Sequence, residues 1–283
     1  MDKFERLLDR ADRLLERLER LLSRAGGNAG PDWNAAHAFR WAKGTLVPIP
    51  HYHQIRLSDL LGIDQQKQLI EQNTRQFVRS RPANNVLLTG ARGTGKSSLV
   101  KAVLAEYANE GLRVIEIGKP QLAELPHIIS LVAGRPERFI LYCDDLSFNA
   151  EEAGYQALKA ALDGSLVALS DNLLIYATSN RRHLMPEYMD ENLATKYVGD
   201  EVHPAESVEE KISLSERFGL WVSFYPFSQD EYLAIVSHWL RHLGMDGVLD
   251  EAARQTALQW SMQRGSRSGR VAFQFARDWA GKA

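Results

Sequence analysis

The chain has 283 residues, 45% hydrophobic and 25% charged, with a net charge of −2. That length supports a substantial core in one large or two smaller domains, and the near-neutral charge excludes a protein built mainly to coat nucleic acid. The single cysteine, Cys143, excludes a disulfide framework, and no apolar run reaches membrane-spanning length, so a cytoplasmic protein is expected.

Residues 1–25 predict an amphipathic, coiled-coil-like helix. Phe4, Leu8, Ala11, Leu15, Leu18 and Leu22 alternate spacings of four and three, the rhythm of an a/d seam. Asp2–Arg6, Asp9–Arg13 and Glu16–Arg20 add acid-then-base pairs one turn apart. Such a face packs on its own domain, on another copy or on a protein partner. The linker at 26–32, with Gly26, Gly27 and Gly30 before Pro31, points to self-association or docking.

Residues 33–227 read as an α/β domain. Five apolar runs, 85–89, 112–117, 139–144, 173–178 and 221–225, alternate with helical patterns at 97–109, 119–133, 151–162 and part of 205–217. This alternation predicts a five-stranded parallel sheet with helices on its faces. Residues 228–283 carry three further helical patterns and no strand, predicting a small C-terminal helical unit.

The first run ends in Gly90-Ala91-Arg92-Gly93-Thr94-Gly95-Lys96-Ser97-Ser98, a complete P-loop between a strand and a helix. Glycines let the backbone aim its N–H groups at phosphate oxygens, Lys96 reaches the terminal phosphates, and the Ser97 hydroxyl can ligate Mg²⁺. A nucleoside triphosphate with Mg²⁺ is the expected ligand. The third run ends in Asp144-Asp145, a Walker B arrangement: Asp144 suits Mg²⁺, and Asp145 falls where a base could align water. The fourth ends in Thr178-Ser179-Asn180, and the Asn180 amide can hydrogen-bond the water or the γ-phosphate.

P-loop, Walker B and strand-borne Asn180, in this order, resemble an AAA+ ATPase. The wording of these motifs, with Asp144-Asp145-Leu146-Ser147-Phe148, Ala177–Leu184 and Glu216-Arg217-Phe218-Gly219-Leu220, is similar to a bacterial AAA+ family of predicted ATPases of unknown function. The resemblance covers roughly residues 33–280. It implies an AAA+ sheet with a helical lid, ATP hydrolysis at the interfaces of a homo-oligomer, and remodelling of an unidentified protein client. The alternatives it leaves are an ATP-gated switch or scaffold with slow turnover, and a loader or remodeller acting on DNA. It implies that Arg217 is an arginine finger and that Arg270, with Arg267 as competitor, is a second sensor at the start of a lid helix. Leu60-Leu61-Gly62-Ile63 resembles the segment lining the adenine pocket. One departure stands out: most relatives end Walker B in Asp-Glu, whereas Asp145 is shorter by one methylene, about 1.5 Å of reach. Slow or partner-dependent turnover is therefore expected.

Other features carry less. His51/His53 and His238/His242 have no carboxylate or cysteine close by in sequence, so surface histidines rather than metal ligands are expected. Arg181-Arg182-His183 suits a subunit contact, and Arg264, Arg267 and Arg270 are explained in part by nucleotide sensing. Residues 187–210 are acidic and would repel a phosphate backbone. Residues 118–138 contain no Phe, Tyr or Trp, which argues against a polypeptide-threading motor.

Overall fold

The computed structural model describes residues 31–52, 54–147, 153–163, 170–180, 196–198, 201–203 and 214–282. The amphipathic helix expected at 1–25, most of the linker, Arg181-Arg182-His183 and most of the acidic stretch lie outside them. The chain divides into two units, Met1–Ala35 and Ala36–Ala283, and the second holds the sheet and its helices.

Its strands form where the apolar runs predict. β3 (Val86–Gly90), β4 (Leu112–Ile117), β5 (Arg138–Cys143), β6 (Leu173–Ser179) and β9 (Leu220–Phe224) are mutually parallel. Every residue of β6 is buried, as are Phe139 to Cys143 of β5, because helices cover both faces and no alternation with polar residues is needed. α1 (Asp64–Val78) precedes β3, α2 (Lys96–Tyr107) follows it, and α3 (Leu125–Val132) and α4 (Ala153–Leu162) flank β5.

The sheet is wider than the five strands expected. Its order is β2-β1-β4-β5-β6-β3-β9, seven strands in all. The additions are β1 (Ala38–Ala42), parallel to β4, and β2 (Thr45–Ile49), antiparallel to β1. Lys43 and Gly44 join them with φ of 51° and 77°, the two positive values that a tight type I′ hairpin needs. Trp41 of β1 is buried and donates from Nε1 to the Glu124 carboxylate at 3.0 Å. A short separate hairpin, β7 (Lys196–Val198) with β8 (Glu201–His203), completes the described strands.

A buried polar knot ties α1 to the sheet. The Tyr176 hydroxyl meets Asn73 Nδ2 at 3.0 Å and Thr74 Oγ1 at 2.9 Å, and Asn73 exchanges two hydrogen bonds with the Asn84 backbone just before β3. The expected helical unit follows β9 as α5 (Gln229–His242), α6 (Glu251–Gln263) and α7 (Gly269–Ala280). Ser228 and Glu231 close a capping box on α5, while Asp250 and Ser268 cap α6 and α7.

β3 lies between β6 and the edge strand β9, so the P-loop leaves a strand one in from the sheet edge. Gly90, with φ of 130°, sits so close to β9 that a Cβ there would stand 1.9 Å from the Phe224 carbonyl oxygen. Gly90→Ala is therefore expected to cost about 3 kcal/mol or more, from combined clash and backbone strain. Denaturant unfolding without nucleotide checks this; a shift below about 1 kcal/mol contradicts it.

Candidate functional site

The carboxyl ends of β3, β5 and β6 deliver three polar groups to one place, where open α/β sheets bind ligands. Lys96, the first residue of α2, is buried. Its Nζ donates to the carbonyls of Gly90 (2.7 Å) and Ala91 (2.8 Å) and to Asn180 Oδ1 (3.2 Å). Burial disfavours its charge, the Asp144 and Asp145 carboxylates oppose that, and Arg92 and Arg270 reinforce it, leaving its pKa below the usual lysine range. A polyanion entering here would favour the charged lysine.

Asp144 follows the end of β5, and its Oδ1 accepts hydrogen bonds from three hydroxyls: Ser97 (2.8 Å), Tyr142 (2.7 Å) and Thr178 (2.5 Å). Burial alone would raise its pKa. The bonds from Thr178, Tyr142 and Ser97, with the charge of Lys101, outweigh burial and hold it below the usual carboxylate value. The Thr178 hydroxyl also accepts from the Asp145 backbone N–H at 2.9 Å. Asp145 has φ of 54°, a left-handed conformation that Asp tolerates better than most residues. Its carboxylate accepts from Asn180 Nδ2 at 2.5 Å and lies 3.7 Å from Arg92. The two residues expected to orient water are thus in direct contact.

These groups line one end of a cavity of about 500 Å³. Arg92, Gly93, Thr94, Gly95, Lys96, Ser97 and Ser98 form the P-loop wall, with Asp144, Asp145 and Asn180 beside them. The rest of the lining is mainly apolar: Ile55, Leu60, Leu61 and Ile63, with Asp59 among them, from before the P-loop, and Phe227, Ile235, Trp239 and Phe273 from the exit of β9 and the helical unit. Gly62 does not line the cavity; it backs it, and a Cβ there would press on the Phe227 ring at 3.0 Å. Gly90 and Ala91 contribute the carbonyls that hold Lys96.

The helical unit touches the P-loop directly. The Gly269 N–H at the start of α7 donates to the Gly93 carbonyl at 2.9 Å, and a Cβ on Gly93 would meet Ser268 Oγ at 2.8 Å. Arg270 lines the cavity, whereas the Arg267 backbone carbonyl accepts from the Phe227 N–H at 3.3 Å. Arg217 lies outside the cavity wall and pairs through Nε with the Asp163 carboxylate. The fold therefore gathers Lys96, Ser97, Asp144, Asp145, Asn180 and Arg270 and leaves Arg217 apart. It also corrects one expectation: His238 and His242 do have a carboxylate beside them, Asp59, brought by the fold from before the P-loop.

Sequence reasoning pointed to Leu60, Leu61 and Ile63 but missed Tyr142, Thr178 and the aromatic part of the lining. Tyr142 was legible, since it stands two residues before Asp144 and so shares its face of the strand. Phe227, Trp239 and Phe273 gave no signal, because helix periodicity marks an apolar face without saying what it covers.

A family model described as Protein of unknown function (DUF815) matches residues 34–283. The chain belongs to the DUF815 family. No curated protein matches it. Among solved structures, a variant of RuvB from Thermotoga maritima resembles this DUF815 chain with a TM-score of 0.53 and 16% identity, over 78% of this chain and 63% of that one. Another variant of the same RuvB gives 0.52 and 14%, over 78% and 64%. ORC1 from Aeropyrum pernix, solved in complex with DNA, gives 0.51 and 16%, over 76% and 58%. The chain thus spans less than two thirds of each. At these identities the likeness shows the fold alone. Among the described residues no helix is long and apolar enough to cross a membrane.

The pH dependence of stability follows from Asp144. Its folded pKa is depressed from 3.8, so its contribution is fully present well above that value and is lost as pH falls through it and below. The stability gap between the natural chain and Asp144→Asn should be widest near neutrality and shrink below about pH 4. A gap that stays constant or grows on acidification, in denaturant titrations at several pH values, contradicts the hydrogen-bonded carboxylate.

Proposed function

We propose that this protein binds ATP with Mg²⁺ in the cavity between P-loop and helical lid, and hydrolyses it at subunit interfaces to remodel a protein partner. The observation that supports this most is the meeting of Lys96, Ser97, Asp144, Asp145 and Asn180 at one end of a cavity whose other end is apolar. A triphosphate suits the polar end and a base the apolar end.

The donor set fits Mg²⁺. Ser97 Oγ and Asp144 Oδ1 are 2.8 Å apart, a hydroxyl and a carboxylate of the kind that hold this ion in P-loop proteins. When bound, Mg²⁺ supplies charge neutralisation at the phosphates. In this reading Lys96 exchanges its carbonyl partners for phosphate oxygens, and Arg270 brings a lid cation to the same charge. Asp145, steadied by Asn180, orients the attacking water and takes its proton. Arg217 leaves Asp163 to reach a neighbouring subunit's γ-phosphate, where a guanidinium stabilises the developing charge. A homo-oligomer in the cytoplasm follows from this reading.

A second reading is favoured by Asp145 itself. Its carboxylate is short and already engaged by Asn180 and Arg92, an arrangement that suits an ATP-gated switch with little turnover.

The test is ATP hydrolysis per protomer over a wide range of protein concentration. Shared sites predict a rate that rises with concentration and is lost in Arg217→Ala while ATP affinity persists. Asp145→Ala should lower the rate by about 10²- to 10⁴-fold, again without loss of binding. A rate that is independent of concentration and unaffected by Arg217→Ala defeats the interfacial mechanism. A flat, near-zero rate with tight ATP binding selects the switch.

A further inference from the structure

Beside the apolar end of the cavity stands a group of side chains that nucleotide chemistry does not use. His238 and His242 sit one turn apart on α5, so both imidazoles leave the same helix face. Opposite them is Asp59, the last residue of the 3₁₀ turn Leu57–Asp59. Asp59 Oδ2 accepts from the Arg56 N–H at 2.9 Å, which fixes the carboxylate, and Oδ1 is turned to the histidines. It lies 3.6 Å from His238 Nε2 and 3.3 Å from His242 Nε2, and the three ligand atoms are all within 4.8 Å of one another.

His238 is in an unusual state. Its Nε2 is buried and makes no hydrogen bond, which is costly for a polar atom.

We infer that Asp59, His238 and His242 form a binding site for a zinc-type transition metal ion. Ligands at about 2.0–2.2 Å from a tetrahedral Zn²⁺ lie about 3.3–3.6 Å from each other, the spacing at which Asp59 stands from both imidazoles. Two imidazoles and one carboxylate form a borderline-soft set, suited to Zn²⁺ and Co²⁺ rather than to Mg²⁺ or Ca²⁺. Three protein ligands leave a fourth position for water. The ion would clamp lid helix α5 to the segment before the P-loop. Asp59 and Trp239 both line the cavity, and the Trp239 ring lies 5.3 Å from His238 and 5.5 Å from His242. Metal occupancy therefore sets how the lid rests on the base-binding end.

The experiment titrates the full chain, free of nucleotide and Mg²⁺, with Zn²⁺ against a chromophoric chelator, and in parallel with Co²⁺ followed by its visible absorption. The site predicts one Zn²⁺ per chain, a tetrahedral Co²⁺ spectrum, and a rise in melting temperature on metal addition. His242→Ala and Asp59→Asn should each weaken binding by at least about 100-fold. His242 is half exposed, and Asn at 59 keeps an oxygen for the Arg56 N–H, so both variants should melt like the metal-free chain. His51→Ala should bind normally, and so should the chain carrying Ser97→Ala with Asp144→Asn. Absence of stoichiometric Zn²⁺, or binding that survives His242→Ala, overturns the site. None of these readouts involves ATP, so the outcome is separate from that of the ATPase reading.

Discussion

The site is organised by one carboxylate oxygen. Asp144 Oδ1 draws hydroxyls from α2, β5 and β6 to a single point. Each of these bonds favours the ionised carboxylate, and three of them converge on one oxygen. Thr178 extends the arrangement by also accepting the Asp145 N–H, so the positive φ at Asp145 is pinned from β6. That in turn aims the Asp145 carboxylate at Asn180, and Asn180 is also a partner of Lys96. P-loop, Walker B strand and the Asn180 strand end are thus one connected hydrogen-bond network.

The C-terminal helical unit belongs to the same arrangement. Its last helix begins against the P-loop, with Gly269 bonded to Gly93 and Ser268 packed where a Gly93 side chain would stand. Gly93 is needed for the approach of a second element as well as for a phosphate cradle. Arg270 is one residue further into α7, so its position depends on this backbone contact. The P-loop and the start of α7 thus meet through a few backbone and side-chain atoms.

Much of this was legible in the sequence because it is local. Apolar runs that end in Gly90, Asp144 and Asn180 mark buried strands delivering polar groups to one sheet edge, and the helices after β9 follow from periodicity and caps. Three features were not legible. The β1–β2 hairpin rests on Lys43 adopting a positive φ, which its residue type does not advertise. The Arg217–Asp163 pair and the Asp59–His238–His242 group join residues far apart in the chain, and no local period encodes such meetings. Asp145 illustrates a subtler gap. Read as sequence, it is a Walker B carboxylate lacking one methylene; in the fold it occupies a left-handed position that Asp accepts better than Glu. The departure from the Asp-Glu of the family it resembles thus has a backbone reason.

The most direct measurement is ATP affinity by titration calorimetry, with and without Mg²⁺, in the natural chain, Ser97→Ala and Asp144→Asn. Mg²⁺ should tighten ATP binding in the natural chain, and either substitution should remove this gain while leaving Mg²⁺-free binding nearly intact. Equal affinity with and without Mg²⁺ in the natural chain would contradict the role given to Asp144 and Ser97.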